Sequence, residues 1–137
     1  MEALSWRFTV HFVLHPATRA RLESQGLLSR LSSAPGVRLS PRMGYRDFLR
    51  MAAGATCVLT DGGSNQEELA ALGIPTIVMR ARTERPDGLG ENAVMEADVV
   101  GGVYQFIADG YCEKLRRNPA PPDILGPSAR VAGILAG

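Results

Sequence analysis

Between Val58 and Asn92 the sequence reads VLTDGGSNQEELAALGIPTIVMRARTERPDGLGEN. Asp61 closes an apolar run, and Gly62 and Gly63 permit positive φ and close approach by a ligand. Ser64, followed by Glu67, has the form of a capping box that opens a helix. The backbone N–H groups at such a helix start form an anion site suited to a diphosphate. Glu68, one turn into that helix, is placed to accept hydrogen bonds from ribose hydroxyls. The same residues also suit a tight strand-to-helix turn whose glycines serve packing alone, and the spacing fits both readings. The polar loop further on holds Glu84, Arg85, Asp87 and Glu91 among Pro86, Gly88 and Gly90. Arg85 could neutralise a phosphate there, or pair with Glu67 or Glu84.

These residues must be positioned by alternating strands and helices. RFTVHFVL, Arg7 to Leu14, is rich in β-branched and aromatic residues and stops at His15-Pro16, as a strand does. ATRARLESQGLLSRL has helical spacing with Gly26 as a helix end, and Val37 to Ser40 forms a short strand before Pro41. YRDFLRMAAG puts Phe48, Leu49 and Ala52 on one side of a helix ending at Gly54. ATCVLT reads as a strand buried on both faces of a parallel sheet. SNQEELAAL forms a helix ended by Gly73, and IPTIVMR forms the next strand. VYQFIADGYCEKLRR reads as one helix, NPAPPDILGP as a connector and SARVAGILA as a closing helix. Trp6 and His11 read as packing residues, and Tyr104, Phe106 and Tyr111 as a core or interface face. Arg116-Arg117 reads as a helix C-terminus favoured by the dipole. The alternation implies α/β architecture with a parallel sheet, whose loops converge on the rim at the carboxyl ends of the strands. The 83–91 loop should therefore face the Gly62-Gly63 turn.

Composition narrows the function classes. A chain of 137 residues suggests one domain, 1–137. Lys and Arg number 15 against 14 acidic residues, which argues against a nucleic-acid partner. No apolar run reaches the length of a membrane span, and Met1-Glu-Ala-Leu-Ser has no basic start or apolar run of a signal peptide, so a cytoplasmic protein without a membrane partner is expected. Cys57 and Cys112 make neither a disulfide framework nor a metal cluster, so no metal is expected, and Cys57 reads as a buried structural thiol. There is no G-x-G-x-x-G fingerprint, and no cofactor is expected.

The segment LTDGGSNQEELAALGIPTIVMRARTERPDGLGEN resembles the C-terminal half of the nonhydrolysing UDP-N-acetylglucosamine 2-epimerases, whose usual form reads T-D-S-G-G-x-Q-E-E, then L-G-x-P, then R-x-x-T-E-R-P. FVLHPATRARL and the Gly44-Tyr45 to Phe48 helix start extend the likeness over most of residues 8 to 101. The resemblance implies a Rossmann-like parallel sheet with flanking helices, one half of a glycosyltransferase-B-type architecture, with UDP held mainly by this half. It implies that Gly62, Gly63 and Ser64 receive the diphosphate and that Glu68 holds the ribose. His15 would line the interdomain cleft, Phe48 would lie at the apolar position of the uracil wall formed by Pro41 to Phe48, and Thr83, Glu84 and Arg85 would sit at the sugar and phosphate side. Such enzymes interconvert UDP-GlcNAc and UDP-ManNAc by eliminating UDP to a 2-acetamidoglucal and adding it back.

Two departures matter. The family's Ser-Gly-Gly stands here as Gly62-Gly63-Ser64, which moves the hydroxyl by two positions, while backbone donation should survive. The strand and His-Arg-Arg motif that open the family's C-terminal half are also lacking, and Met1 to Ser5 are too few to supply them. That strand is central in a doubly wound sheet, so unpaired strand edges or a rearranged pairing should result. The carboxylates proposed as acid and base in the family belong to the N-terminal half. The 137 residues alone are therefore expected to be inactive, with the missing half or a second copy of the chain as partner and self-association into a homo-oligomer. A nucleotide-sugar glycosyltransferase domain and a non-catalytic nucleotide-sugar-binding module are the alternatives; T-E-R-P fits the former less well.

Overall fold

The computed structural model describes residues 1–119. Helix α1 (Glu2–Ser5) precedes β1 (Val10–Leu14), α2 (Pro16–Ser24), α3 (Leu27–Ser33), β2 (Val37–Pro41) and α4 (Tyr45–Ala53). Then come β3 (Val58–Thr60), α5 (Gly63–Ala71), β4 (Thr76–Val78), β5 (Ala93–Met95) and α6 (Gly102–Ala108), with 3-10 turns at Glu96–Asp98 and Glu113–Leu115. The expected closing helix and nearly all of the proline-rich connector lie outside the described residues.

Every strand pairing among the described residues is parallel, as the alternation of strands and helices implies, but the strands fall into two sheets. β1 pairs with β2 from Val10↔Val37 to Leu14↔Pro41. β4 lies between β3 and β5, with Ile77 opposite Leu59 on one side and Val94 on the other. β1 and β3 thus each pair along one edge only, the outcome expected when a central strand is lacking.

That break explains the main correction to the sequence reading. Only Val58–Thr60 of ATCVLT form a strand, and Leu59 is 38% exposed instead of buried on both faces. β4, which has a neighbour on each side, is buried throughout. The first strand likewise starts at Val10, not Arg7, and the AVM strand β5 lacks the length to register as a pattern. Trp6 is 76% exposed and His11 is exposed, so neither packs as expected. The long C-terminal helix stops at Ala108, because Gly110 takes a φ of 76° that a helix cannot continue through. Tyr111 then stacks on Phe106 with ring centroids 5.6 Å apart, while Tyr104 and Tyr111 remain largely exposed. Arg116 and Arg117 end no helix: Arg116 Nη2 donates to the Ala55 carbonyl at 2.5 Å and the Arg117 N–H to the Gly73 carbonyl at 2.9 Å.

One apolar cluster joins Leu4, Ile77, Val99, Ile107 and Cys112, with Phe8, Val10, Cys57 and Met79 packed on it. A second joins Ala52, Leu69 and Ile74 beneath Phe48, Val58 and Leu72. α5 ends in a Schellman motif: the Ile74 N–H donates to Leu69 and the Gly73 N–H to Ala70, both at 3.0 Å, with Gly73 at φ 65°. Buried Asn92, directly before β5, locks that end to the start of β5, since its Nδ2 donates to the carbonyls of Leu69 (3.0 Å) and Ile74 (2.8 Å). Asn92→Ala removes both donors from buried carbonyls and is expected to cost about 2 to 3 kcal/mol of unfolding free energy. Urea denaturation checks this, and a midpoint equal to that of the parent chain contradicts it.

Candidate functional site

The site begins at the carboxyl end of β3. Thr60 Oγ1, on a buried residue, accepts from the Gly62 N–H at 3.1 Å and from Asn65 Nδ2 at 3.2 Å, which pulls the turn tight against the strand end. α5 then starts at Gly63 with Gly62 as its N-cap. The first N–H groups of the helix, from Gly63 to Asn65, have no acceptor within the helix. They and the positive end of the helix dipole are the donors a helix start offers to an anion.

Two details of the turn differ from the expectation. Neither glycine uses positive φ: Gly62 is extended, with φ −90° and ψ 122°, and Gly63 is helical. At Gly63 a Cβ would lie 2.8 Å from Arg85 Nε, so a larger residue there would have to move the arginine side chain. Ser64 also does not cap α5. The helix begins one residue before it, its hydroxyl is exposed, and no side chain caps the helix, so the Ser64–Glu67 capping box does not form.

Glu67 pairs with Arg85 instead, and both side chains remain a little under half exposed. Of the partners open to Arg85 on sequence, Glu67 is the one taken, and the guanidinium lies across the start of α5. The loop that carries Arg85 is held by Gln66, a residue the sequence reading passed over. Gln66 is 1% exposed; its Nε2 donates to the carbonyls of Arg85 and Asp87, both at 2.9 Å, and its Oε1 accepts from Thr83 Oγ1 at 3.0 Å. Thr83 Oγ1 also accepts from the Arg85 N–H at 3.2 Å. The 83–87 loop therefore faces the Gly62-Gly63 turn, as strand order required. Gln66 stands directly before the two glutamates, and the fold turns it inward while its neighbour Glu67 stays exposed.

The structure brings Gly62, Gly63, Ser64, Thr83 and Arg85 together around the start of α5. Glu68 is half-buried one turn further along the same helix, and Glu84 is exposed on the loop. His15 lies apart, at the end of β1 in the other sheet, where its Nδ1 accepts from the Ala17 N–H at 3.2 Å and caps α2. Phe48 packs on the Ala52, Leu69 and Ile74 cluster. The arrangement can hold an anionic group by backbone donors and one guanidinium.

Comparison with known proteins decides the family. The family model described as UDP-N-acetylglucosamine 2-epimerase matches residues 1–118. The chain belongs to the UDP-N-acetylglucosamine 2-epimerase family. Among its relatives, the UDP-N-acetylglucosamine 2-epimerase of Methanococcus maripaludis is 34% identical over 60% of this chain and 22% of its own length. That of Neisseria meningitidis is 28% identical over 80% of this chain and 27% of its own. The crystal structure of the Methanocaldococcus jannaschii UDP-GlcNAc 2-epimerase in complex with UDP-GlcNAc and UDP matches at a TM-score of 0.72 and 27% identity, over 98% of this chain and 37% of that one. The Neisseria meningitidis enzyme bound to UDP-GlcNAc matches at a TM-score of 0.60 and 25% identity. The chain thus spans about a quarter of the length of those curated relatives and over a third of the solved chain. Family membership favours the epimerase reading over a glycosyltransferase domain.

Gln66→Met keeps the volume of this buried side chain and strips the Arg85 and Asp87 carbonyls of their donor. It is expected to cost about 1 to 3 kcal/mol and to speed amide exchange across residues 83–87. Hydrogen-exchange mass spectrometry checks it, and unchanged protection of that loop contradicts the role given to Gln66.

Proposed function

We propose that this chain is the nucleotide-binding half of a UDP-N-acetylglucosamine 2-epimerase, in which Gly62, Gly63 and Ser64 receive the diphosphate of a UDP-sugar and Glu68 the ribose. The observation that carries the reading is the start of α5 at the end of β3, with Arg85 fastened above it. A phosphate there would meet backbone N–H groups and a guanidinium, and would compete with Glu67 for Arg85. Thr83 and Glu84 fall on the sugar side of the same loop. His15 and Phe48 are assigned to the cleft and the uracil wall, which α4 and the end of β1 would border. The complete protein would interconvert UDP-GlcNAc and UDP-ManNAc. A cytoplasmic setting belongs to the same reading; among the described residues no helix is long and apolar enough to cross a membrane.

Proton transfer at the sugar needs a base within hydrogen-bond reach, and the carboxylates Glu67, Glu68 and Glu84 all stand on the nucleotide side or the loop. The 137 residues alone are therefore proposed to bind the nucleotide without epimerising it. The unpaired edges of β1 and β3 would be covered by the other half of the protein or by a second copy. Light scattering is expected to give a mass above that of one chain; a monodisperse monomer contradicts self-association, and turnover of UDP-GlcNAc by the purified chain contradicts the assignment of catalysis to the other half.

Isothermal calorimetry tests the ligand. UDP is expected to bind and NAD to show no heat. Glu68→Gln is expected to weaken UDP by about 1.5 to 3 kcal/mol, the range for hydrogen bonds to a charged group. NAD binding without UDP binding contradicts the nucleotide, and a Glu68→Gln chain that folds and binds UDP as tightly as the parent contradicts the ribose role.

A further inference from the structure

Far apart in sequence, Cys57 and Cys112 meet in the core with their Sγ atoms 2.8 Å apart. Cys57 leads into β3 and is half-buried; Cys112 is fully buried just before the 3-10 turn at Glu113–Leu115. A disulfide bond is about 2.0 Å long, so bridging them asks for a shift of under an ångström. The contact is held from outside the pair. After Cys112 the chain turns across the base of the β3 sheet, where Arg116 donates to Ala55 and the Arg117 N–H donates to Gly73. At Gly73 the approach is so close that a Cβ would lie 2.2 Å from the Arg117 carbonyl oxygen. The strap that brings Cys112 to Cys57 is thus held by one side-chain and one backbone hydrogen bond independent of the thiols.

We propose that Cys57 and Cys112 are a redox pair that closes to an intramolecular disulfide under peroxide, stapling the 111–117 strap to the entrance of β3. One thiolate attacks hydrogen peroxide, taking one oxygen to become a sulfenic acid as hydroxide leaves. The partner thiol then attacks that sulfur, forming the S–S bond and releasing water. Two thiols and one peroxide give one disulfide and two waters. The contact between the thiols lowers Cys112, against the effect of its burial, and raises Cys57, so the two titrate as a pair, and half-buried Cys57 is the member nearer to solvent. The bond would close a long loop that includes β3, α5, β4 and β5, so it should restrict the unfolded chain strongly.

The test treats the 137-residue chain with hydrogen peroxide and measures intact mass, tryptic peptides and thermal unfolding. The expected result is loss of two hydrogens, a peptide pair joined through Cys57 and Cys112, and a rise in Tm of about 10 °C, all reversed by dithiothreitol. Cys57→Ser is expected to show neither the mass change nor the rise. Sulfinic acid at either cysteine without a bridge, covalent dimers, or full alkylation of both thiols in the denatured, peroxide-treated chain overturns the proposal. The mass and peptide readouts on the parent chain decide it even if the variant does not fold.

Discussion

The candidate site depends on one buried amide. Gln66 is a polar side chain with almost no solvent contact, and such a group is tolerated only when its donors and acceptor are satisfied. Its Nε2 meets two carbonyls of the 83–87 loop, and its Oε1 meets the Thr83 hydroxyl. A polar, solvent-facing loop is thereby tied to the first turn of α5. Arg85 then lies over Gly63, where an added Cβ would have to displace the arginine side chain. Remove the amide and the guanidinium has no reason to stay at the helix start, since its pairing with Glu67 is a half-exposed contact of small energetic weight.

The scaffold behind that site is itself divided. The β3–β4–β5 sheet is held by fully buried β4, by the Schellman end of α5 and by Asn92, and it presents the turn at the end of β3. The β1–β2 pair carries His15 and packs against the rest through Val10 and the apolar cluster around Leu4 and Ile77, without strand pairing. α1 is fastened to α3 where Arg30 donates to both carboxylate oxygens of Glu2 at 2.5 Å, which holds that carboxyl below its ordinary range. The parts of the site that follow β3 and β4 are therefore positioned by part-buried hydrogen bonds, whereas, among the described residues, His15 belongs to a layer that packs on them without strand pairing.

Much of this was legible in the sequence, for identifiable reasons. Alternating apolar runs and glycine-ended helices report parallel α/β structure because each pattern has a direct backbone cause, as Gly73 shows. The break between the two sheets among the described residues was legible too, by comparison with the family's order of motifs. What the sequence hid was tertiary. The exposure of Leu59 follows from a neighbour that is not beside it, and the capping role given to Ser64 gave way to a helix start set by Thr60 and Asn65. Gln66 was invisible because an amide next to two carboxylates looks like an exposed helix face, and only the fold turns it inward. Cys57 and Cys112 are too far apart in sequence for any local pattern to join them.

The central claim is that the start of α5, with Arg85 above it, receives the diphosphate of a uridine nucleotide. Titration of the 15N-labelled chain with UDP, followed by two-dimensional NMR, tests it most directly. The account predicts that the backbone amides of Gly63, Ser64 and Asn65 and the Arg85 side-chain Nε–H shift together and saturate at a common UDP concentration. Saturable shifts confined to other parts of the chain, with these signals unmoved, would contradict it.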